Sequence, residues 1–495
     1  MLIIFGITKV YAQDFPDKKI TLKLKNTALH QAFREISRQS GYYFTYEGDV
    51  LDANKIINKN FRNTPLKECL DEILNDSTLK YQVYENHIII KKKHIPSVDS
   101  LLNNPAIKII KLQAKLVDAV SGDALAYASI SVQNSNIGTV SNENGYFLLK
   151  IPKELINKNL CISYIGYNNN CFPAIKLYHQ TQVIKLSRNY VSLQEVLIRN
   201  RDPRSIIQRA LKKIPENYPQ KATYLITFYR EKVKQKSKYM FLSEAVLKIY
   251  KPAYLSMQND LLQILKSRTF HNVEKQDSVQ MKLKSGLKTA LVLDIVKNRP
   301  DFINIDYFSG YKYQISDIES YDNKTNYVIA FKPKDNEKDA LYRGFIYIDA
   351  ESLAIIGADY EISPDRIYGM NNRFIIKKEK GLKVTLKKAR YQINYHQWNG
   401  KYYLKYVKAA LKFKVKMKKQ WFATNFTTSL EMAVSSIDTL NVHRFKRKES
   451  DKTNTVFADE IHQYDESFWE DYNFIKPEDD WQEAIKKLQL KLKEK

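Results

Sequence analysis

Residues 411–418 read Leu-Lys-Phe-Lys-Val-Lys-Met-Lys. Side chains of a strand alternate between its two faces. Period 2 therefore sends Leu411, Phe413, Val415 and Met417 to a core, and Lys412, Lys414, Lys416 and Lys418 to the opposite face. A chain holding such a strand must build a sheet with one apolar and one cationic face. Runs at 311–318, 326–331, 341–349, 354–362, 383–395, 401–418 and 422–435, and two strands within 226–254, are predicted to supply it. Ahead of them Asp202-Pro203 opens a helix with Ile206, Ile207, Ala210 and Leu211 on one face, closed at Pro215. Residues 202–495 are thus expected to form a large, mostly antiparallel β-sheet domain with a few helices. It carries an acidic segment and ends in an amphipathic helix from Trp481.

A chain of 495 residues is too long for one ordinary core and predicts about three domains. With 34 Tyr and 22 Phe it is far too aromatic for a disordered protein. Its 80 Lys and Arg against 54 acids point to an anionic partner: nucleic acid, anionic lipid or acidic glycan. Nucleic acid is disfavoured, because no helix-turn-helix or zinc pattern accompanies the charge. Cys69, Cys161 and Cys171 are too few for a disulfide framework. A turn at Asn168-Asn169 would place Cys171 opposite Gly166 and Cys161 near Lys176, so all three are read as free thiols.

The first block, residues 18–93, has a strand at 19–24 and a helix capped by Asn26 or Thr27. Leu29, Ala32, Phe33 and Ile36 form its apolar face and Gly41 stops it. Strands at 42–46 and 55–61 precede Thr64-Pro65, a cap with Pro at the first helical position. The second helix faces its core with Leu66, Cys69, Leu70, Ile73 and Leu74, and a hairpin at 79–92 closes the block. The stretches TALHQAFREISRQSGYYFTY and NTPLKECLDEILNDSTLKYQVYENHIIIKKK in this order resemble the short N-terminal domain of secretins and TonB-dependent receptors. That resemblance implies a small βαββαββ module in the periplasm that contacts other envelope proteins. Residues 1–12 resemble the end of a secretory signal, with the apolar run Leu2–Ile7 and cleavage after Ala12. No basic residue precedes the run, so this is a remnant of such a signal. Export to the periplasm, in association with the outer membrane, is the expectation. A linker spans 94–108.

The second block, 109–187, shows short strands separated by turns every eight to twelve residues, the pattern of a β-sandwich. Within it GTVSNENGYFLLKIP, residues 138–152, reads as a hairpin turning at Asn144-Gly145. Val117-Asp118, Ser121-Gly122, Ala128-Ser129-Ile130, Gly138-Thr139, Asn142-Glu143-Asn144-Gly145 and Ser163-Tyr164-Ile165-Gly166-Tyr167 together resemble the carboxypeptidase-regulatory-like domain. The resemblance implies a transthyretin-like sandwich without catalytic residues, found in many outer-membrane receptors. Asn142 stands at the usual acidic turn position, which argues against calcium there.

The chain is therefore expected to be an α+β multidomain protein: the small N-terminal domain, the sandwich, and the large sheet. Enzyme chemistry has little support, with no Gly-rich phosphate loop, nucleophile elbow or Cys-x-x-Cys. His271-x-x-Glu274 lacks the third ligand of a zinc site. Glu244 and Asp349 read as polar positions on a strand and at a turn. No catalytic residue, metal ligand or cofactor is assigned. The plug and barrel of a TonB-dependent receptor do not fit the residues that remain after the second block, and no run is long enough for a membrane helix. Leu193, Glu195 and Val196 lie in a segment resembling a TonB box, an extended stretch that engages TonB by strand addition. The lysine row is the candidate contact for anionic lipid or acidic glycan. The acidic stretch 457–481, with Glu470 and Glu478, is a candidate to dock on the same basic sheet. The leading expectation is a non-catalytic envelope protein acting as binding scaffold or signal relay. Residues 341–360 resemble the strand-turn-strand of lipoprotein-carrier sheets, so a carrier of an amphiphile is one alternative, and a hydrolase of envelope polymer is the other.

Overall fold

The computed structural model describes residues 18–46, 51–74, 79–84, 86–92, 108–178, 181–189, 202–236, 238–271, 282–283, 286–335, 337, 341–368, 370, 375–377, 382–417, 423–453, 466–478 and 481. The expected signal remnant, the linker but for its last residue, the TonB-box-like Leu193, Glu195 and Val196, and Lys418 lie outside these. So does the terminal helix beyond Trp481. The chain divides into two compact units, Met1–Asn103 with His179–Thr181, and the remainder.

In the first unit β1 (Lys19–Ala28) pairs antiparallel with β3 (Ile56–Pro65). A second sheet sets β5 (His87–Lys92) between β2 (Tyr43–Tyr46) and β4 (Leu79–Tyr84). Helices α1 (Leu29–Ser40) and α2 (Leu66–Leu74) bury the apolar faces read from their periodicity. Gly41 ends α1 at φ 78°, its N–H returning to the Ser37 carbonyl. Neither Asn26 nor Thr27 caps α1. Strand β1 runs on through Thr27 and Ala28, paired with Ile57 and Ile56, and Ala28 takes the cap position. Cys69 is free and buried.

The second unit begins with a sandwich. One sheet orders β11 (Asn170–Pro173), β10 (Asn159–Ser163), β7 (Ser129–Val132) and β8 (Gly138–Val140). The other orders β12 (Thr181–Leu186), β6 (Ile109–Asp118) and β9 (Tyr146–Pro152). Buried Asp118 ties the sandwich together. It accepts from the Tyr167 hydroxyl at 2.7 Å, from the Ser121 and Val120 amides and from Arg188 Nε, which hold its carboxyl well below the usual range.

Two sequence expectations fail in this sandwich. Residues 138–152 are not a hairpin: β8 pairs with β7, and β9 with β6 in the other sheet. The turn dipeptide is in place, but Gly145 alone takes positive φ, at 81°, and Asn142 Oδ1 accepts from both the Asn144 and Tyr146 amides. That Asx-type turn carries the chain across the sandwich instead of back along one sheet. The second correction is a disulfide between Cys161 and Cys171. The connection from β10 to β11 is a wide loop through Ser163–Asn170, not a two-residue turn, so Cys161 and Cys171 stand directly opposite.

The remainder of the unit is one antiparallel sheet of ten strands. Its members are β13 (Thr223–Gln235), β14 (Lys238–Lys251), β15 (Leu261–His271), β17 (Tyr311–Tyr321), β18 (Lys324–Pro333), β19 (Tyr342–Asp349), β20 (Ile355–Ile362), β22 (Leu382–Trp398), β23 (Lys401–Met417) and β24 (Thr424–Asp438). Their spatial order is β15-β14-β13-β24-β23-β22-β20-β19-β18-β17, while β16 (Lys282–Leu283) and β21 (Ile375–Lys377) pair apart. The order is open, ending at β15 and β17. No described helix is long and apolar enough to cross a membrane. One sheet face packs on α3 (Pro203–Lys212), α4 (Ile214–Asn217), α5 (Gly286–Val292) and α6 (Ile295–Asn298). Ile206, Ile207, Leu287, Val296, Phe302 and Phe308 join a continuous core with Phe413, Val415 and their neighbours there. Asp202 caps α3 through the Arg204 and Ser205 amides, with Pro203 following.

Candidate functional site

The other face of the sheet carries a row of charged residues. Strand register sets Arg268 of β15 beside Glu244 of β14, Glu244 beside Arg230 of β13, Arg230 beside Glu431 of β24, and Glu431 beside Lys408 of β23. The row alternates in sign across five strands, as cross-strand pairing favours. Glu244 is wholly buried: Arg230 Nε meets Oε1 at 2.7 Å, and Arg268 Nη2 meets Oε2 at 2.7 Å. Burial alone would raise its carboxyl, yet Arg268 and Arg230 outweigh burial and lower it. Glu244 is therefore no solvated strand position but the centre of a buried ion triad. Asp349 does serve a turn, accepting from the Glu351 and Ser352 amides.

Two other parts of the chain cover this row. From the sandwich, Tyr127 stacks on Tyr406 at 4.9 Å, and Glu143 meets Lys408 at 2.7 Å. The C-terminal segment brings Trp469, Phe474 and Ile475 into one cluster with Phe228, Val246, Tyr406 and Ala433. Arg230 Nη2 donates to the Ile475 carbonyl at 2.7 Å, and Lys232 Nζ donates to Glu478 Oε1 at 2.9 Å. Asn142 Nδ2 reaches the Lys476 and Pro477 carbonyls, and Asn473 exchanges hydrogen bonds with the Lys150 backbone. The residue that argued against calcium thus holds the tail on the sandwich.

Glu143, Glu431 and Glu478 converge closely enough to suggest a cation. Lys232 Nζ already lies 2.9 Å from Glu478, 3.6 Å from Glu143 and 3.7 Å from Glu431, with Lys408 on the other side. The cation at this spot is an ammonium. For Glu143, burial works against ionisation, but Lys232 and Lys408 prevail and hold the carboxyl well below the usual range.

Further along β23 none of the described ion pairs or ring contacts reaches the face from the sandwich or the tail. Alternation continues without a break from Tyr406 to Val415 against β24, so Lys412 and Lys414 share the face of Tyr406 and Lys408, with Lys416 next in the row. Phe413 and Val415 are buried, while Lys412, Lys414 and Lys416 are exposed and form no ion pair among the described residues. Across β22, Lys383 stands opposite Lys416, and Lys388 opposite Lys412. Lys388 reaches Glu361 at 3.5 Å. The described part of the acidic tail docks on Arg230, Lys232 and Lys266, the last through Glu470, and leaves this row open. His271 ends β15, and Glu274 lies outside the described residues.

Sequence reasoning found the lysine row but missed Arg230, Lys232, Arg268 and Glu431. One signal was available: Phe228, Arg230 and Lys232 share one parity, as do Val246 and Glu244, mixing charge with apolar residues on a face that should be one or the other.

Residues 113–198 match the family model of the CarboxypepD_reg-like domain, which bears out the regulatory-like reading of the sandwich. No curated protein matches the chain. Among solved structures, a DUF1329 family protein from Desulfovibrio piger ATCC 29098 aligns at 13% identity and TM-score 0.21, over 49% of this chain and 96% of that one. Lipovitellin aligns at 7% identity and TM-score 0.22, over 46% of this chain and 27% of that one. At these scores neither likeness bears on fold or function.

Proposed function

We propose that this protein is a non-catalytic binding component of the cell envelope, exported to the periplasm and working against the outer membrane. Its N-terminal block acts in this reading as the secretin- and TonB-receptor-like module that meets other envelope proteins. The basic end of the large sheet meets an anionic component: the phosphates of a lipid surface or the acid groups of a glycan. One observation carries the reading. Lys412, Lys414 and Lys416 stand exposed, with no ion pair among the described residues, on a strand whose Lys408 is matched by Glu143 and Glu431. Like charges such as Lys416 and Lys383 directly opposite are unfavourable unless an anion sits between them. The strand holds successive lysines about 6.8 Å apart on a rigid backbone.

Packing favours this reading over a carrier. On the face opposite the lysines, Ile206, Ile207, Leu287, Val296 and Phe302 are buried in one core with Phe413 and Val415. The test is sedimentation with phosphatidylglycerol vesicles and, separately, with a lipid-free acidic glycan. Each lysine near an anionic surface contributes about 1 kcal/mol, so neutralising all three costs about 3 kcal/mol, or roughly a hundredfold in affinity. Binding should also fade by about 1 M salt, where the Debye length is about 3 Å. Equal binding by a Lys412→Gln, Lys414→Gln, Lys416→Gln variant, to whichever partner the wild type binds, would sink the proposal.

A further inference from the structure

Beyond Tyr406 and Ala433 the pairing of β23 with β24 ends. Both strands are irregular there. On β23, Leu404 pairs with Tyr395 and Tyr406 with Asn394, which leaves Lys405 as a bulge. On β24, Ser435 is the extra residue opposite β13. The β7–β8 turn of the sandwich enters this opening: Ile137 bridges to Ser436, and Asn136 Nδ2 donates to the Ile437 carbonyl at 2.5 Å.

Bulges re-aim side chains, and this one turns Lys405 into the seam. Lys405 is 6% exposed, and its Nζ donates to the Val434 carbonyl at 3.2 Å. An ammonium has three donors, and no carboxylate pairs with this one among the described residues. Gly138 of the sandwich makes the room, since a Cβ there would stand 2.6 Å from Nζ and 2.4 Å from the Ile130 carbonyl. His396 lies alongside with Nδ1 buried and unbonded. A cavity of about 20 Å³ is lined by Lys405, His396, Ser131, Ser135, Asn136 and Val434 among others. One water needs about 10–15 Å³. The cavity thus has room for one guest of water or halide size.

We propose that this cavity binds one small monovalent anion of halide size, which accepts from Lys405 and neutralises it in the seam between sandwich and sheet. A water would accept a hydrogen bond but leave the ammonium uncompensated and prone to shed its proton, whereas an anion would hold it charged. Burial pushes the Lys405 amine down to about 7, the cost that an anion would relieve. Burial first, then Lys405, lowers His396 to about 4 against the opposing pull of Asp322. Asp322 itself is held by Asn169 and Ser163 and does not pair with Lys405.

The experiment is thermal unfolding of the full chain as sodium bromide replaces sodium gluconate from 1 to 150 mM at fixed ionic strength, with bromide-soaked crystals read at the bromine edge. A saturable rise of about 2 °C is expected, absent in Lys405→Met, with an anomalous peak beside Nζ in the wild type. No saturable rise in the wild type, or the same rise in Lys405→Met, overturns the site. If Lys405→Met does not fold, a missing peak overturns it, and so does a peak without the solution response, which would mark an adventitious ion only.

Discussion

Glu244→Gln is the sharpest test of what holds the large sheet to its cover. The substitution keeps the shape of the side chain and removes its charge. Arg230 is then left 1% exposed and Arg268 2% exposed, with Glu478 at 3.8 Å as the nearest carboxylate ion-paired to Arg230. Breaking a buried ion pair by removing one partner costs about 3–5 kcal/mol, because the stranded charge stays desolvated. The unit that unfolds comprises Asn104–Tyr178 and Gln182–Lys495, roughly 390 residues. At about 2.1 cal/mol/K per residue its unfolding entropy is near 0.8 kcal/mol/K, so Tm should fall by about 4–6 °C. Differential scanning calorimetry at pH 7 reads it directly. The control is Arg343→Gln, which breaks the Arg343–Glu361 pair at 2.6 Å where Arg343 is 48% exposed. Surface pairs contribute about 0–1 kcal/mol, so that variant should move Tm by no more than about 1 °C. Equal shifts for the two variants would refute the account of the buried triad.

The tail, the disulfide and one carboxylate give three further outcomes. Trp469 is fully buried, with Phe228 at 5.3 Å and the Arg268 guanidinium at 4.8 Å. Trp469→Ala should cost about 3–5 kcal/mol and make residues 466–478 newly sensitive to limited proteolysis; an unchanged digest would contradict the docked tail. Cys161 and Cys171 close a loop with a sequence separation of 10. Reducing the bond should destabilise the fold by about 2–3 kcal/mol on chain-entropy grounds, read as a Tm difference with and without reductant. Burial raises the Asp359 carboxyl from 3.8 to about 6, against the Tyr347 hydroxyl and Arg390. A raised folded value means the protonated form is favoured, so the group's contribution is lost as pH rises from about 4 through 6. Two units correspond to at most about 3 kcal/mol, and partial exposure reduces this to roughly 1–2. Asp359→Asn should therefore raise Tm by about 1–3 °C at pH 7.5 and leave it unchanged at pH 4; a gain at both pH values would contradict the assignment.

Local features of this fold were legible because they are set by neighbours in sequence. Leu29, Ala32, Phe33 and Ile36 recur at helical spacing, and Asp202-Pro203 carries its own cap, so both helices could be placed before any tertiary contact was known. Residues 138–152 mark the boundary of that approach. The turn at Gly145 was readable, but whether β9 returns to β8 or crosses to β6 depends on which strand offers a free edge. Cys161 and Cys171 failed for a related reason, since a wide loop shifts register in a way no dipeptide announces. The charged row lay furthest out of reach. Glu244 is 14 residues from Arg230, but Glu478 is 246 from Lys232, and only the order β15-β14-β13-β24-β23 makes one site of them.

That order also decides what the surplus of positive charge means. At the covered end of the sheet Arg230, Lys232, Arg268 and Lys408 meet Glu244, Glu431, Glu143 and Glu478, four cations against four carboxylates. Glu478 of the tail and Glu143 of the sandwich loop are spent there, and Glu470 is spent on Lys266. Among the described residues none of these carboxylates reaches Lys412, Lys414 or Lys416, and Glu361 serves the neighbouring Lys388. The described part of the tail docks on Arg230, Lys232 and Lys266 and leaves a cationic strand face built into the sheet, as the proposed anionic partner requires.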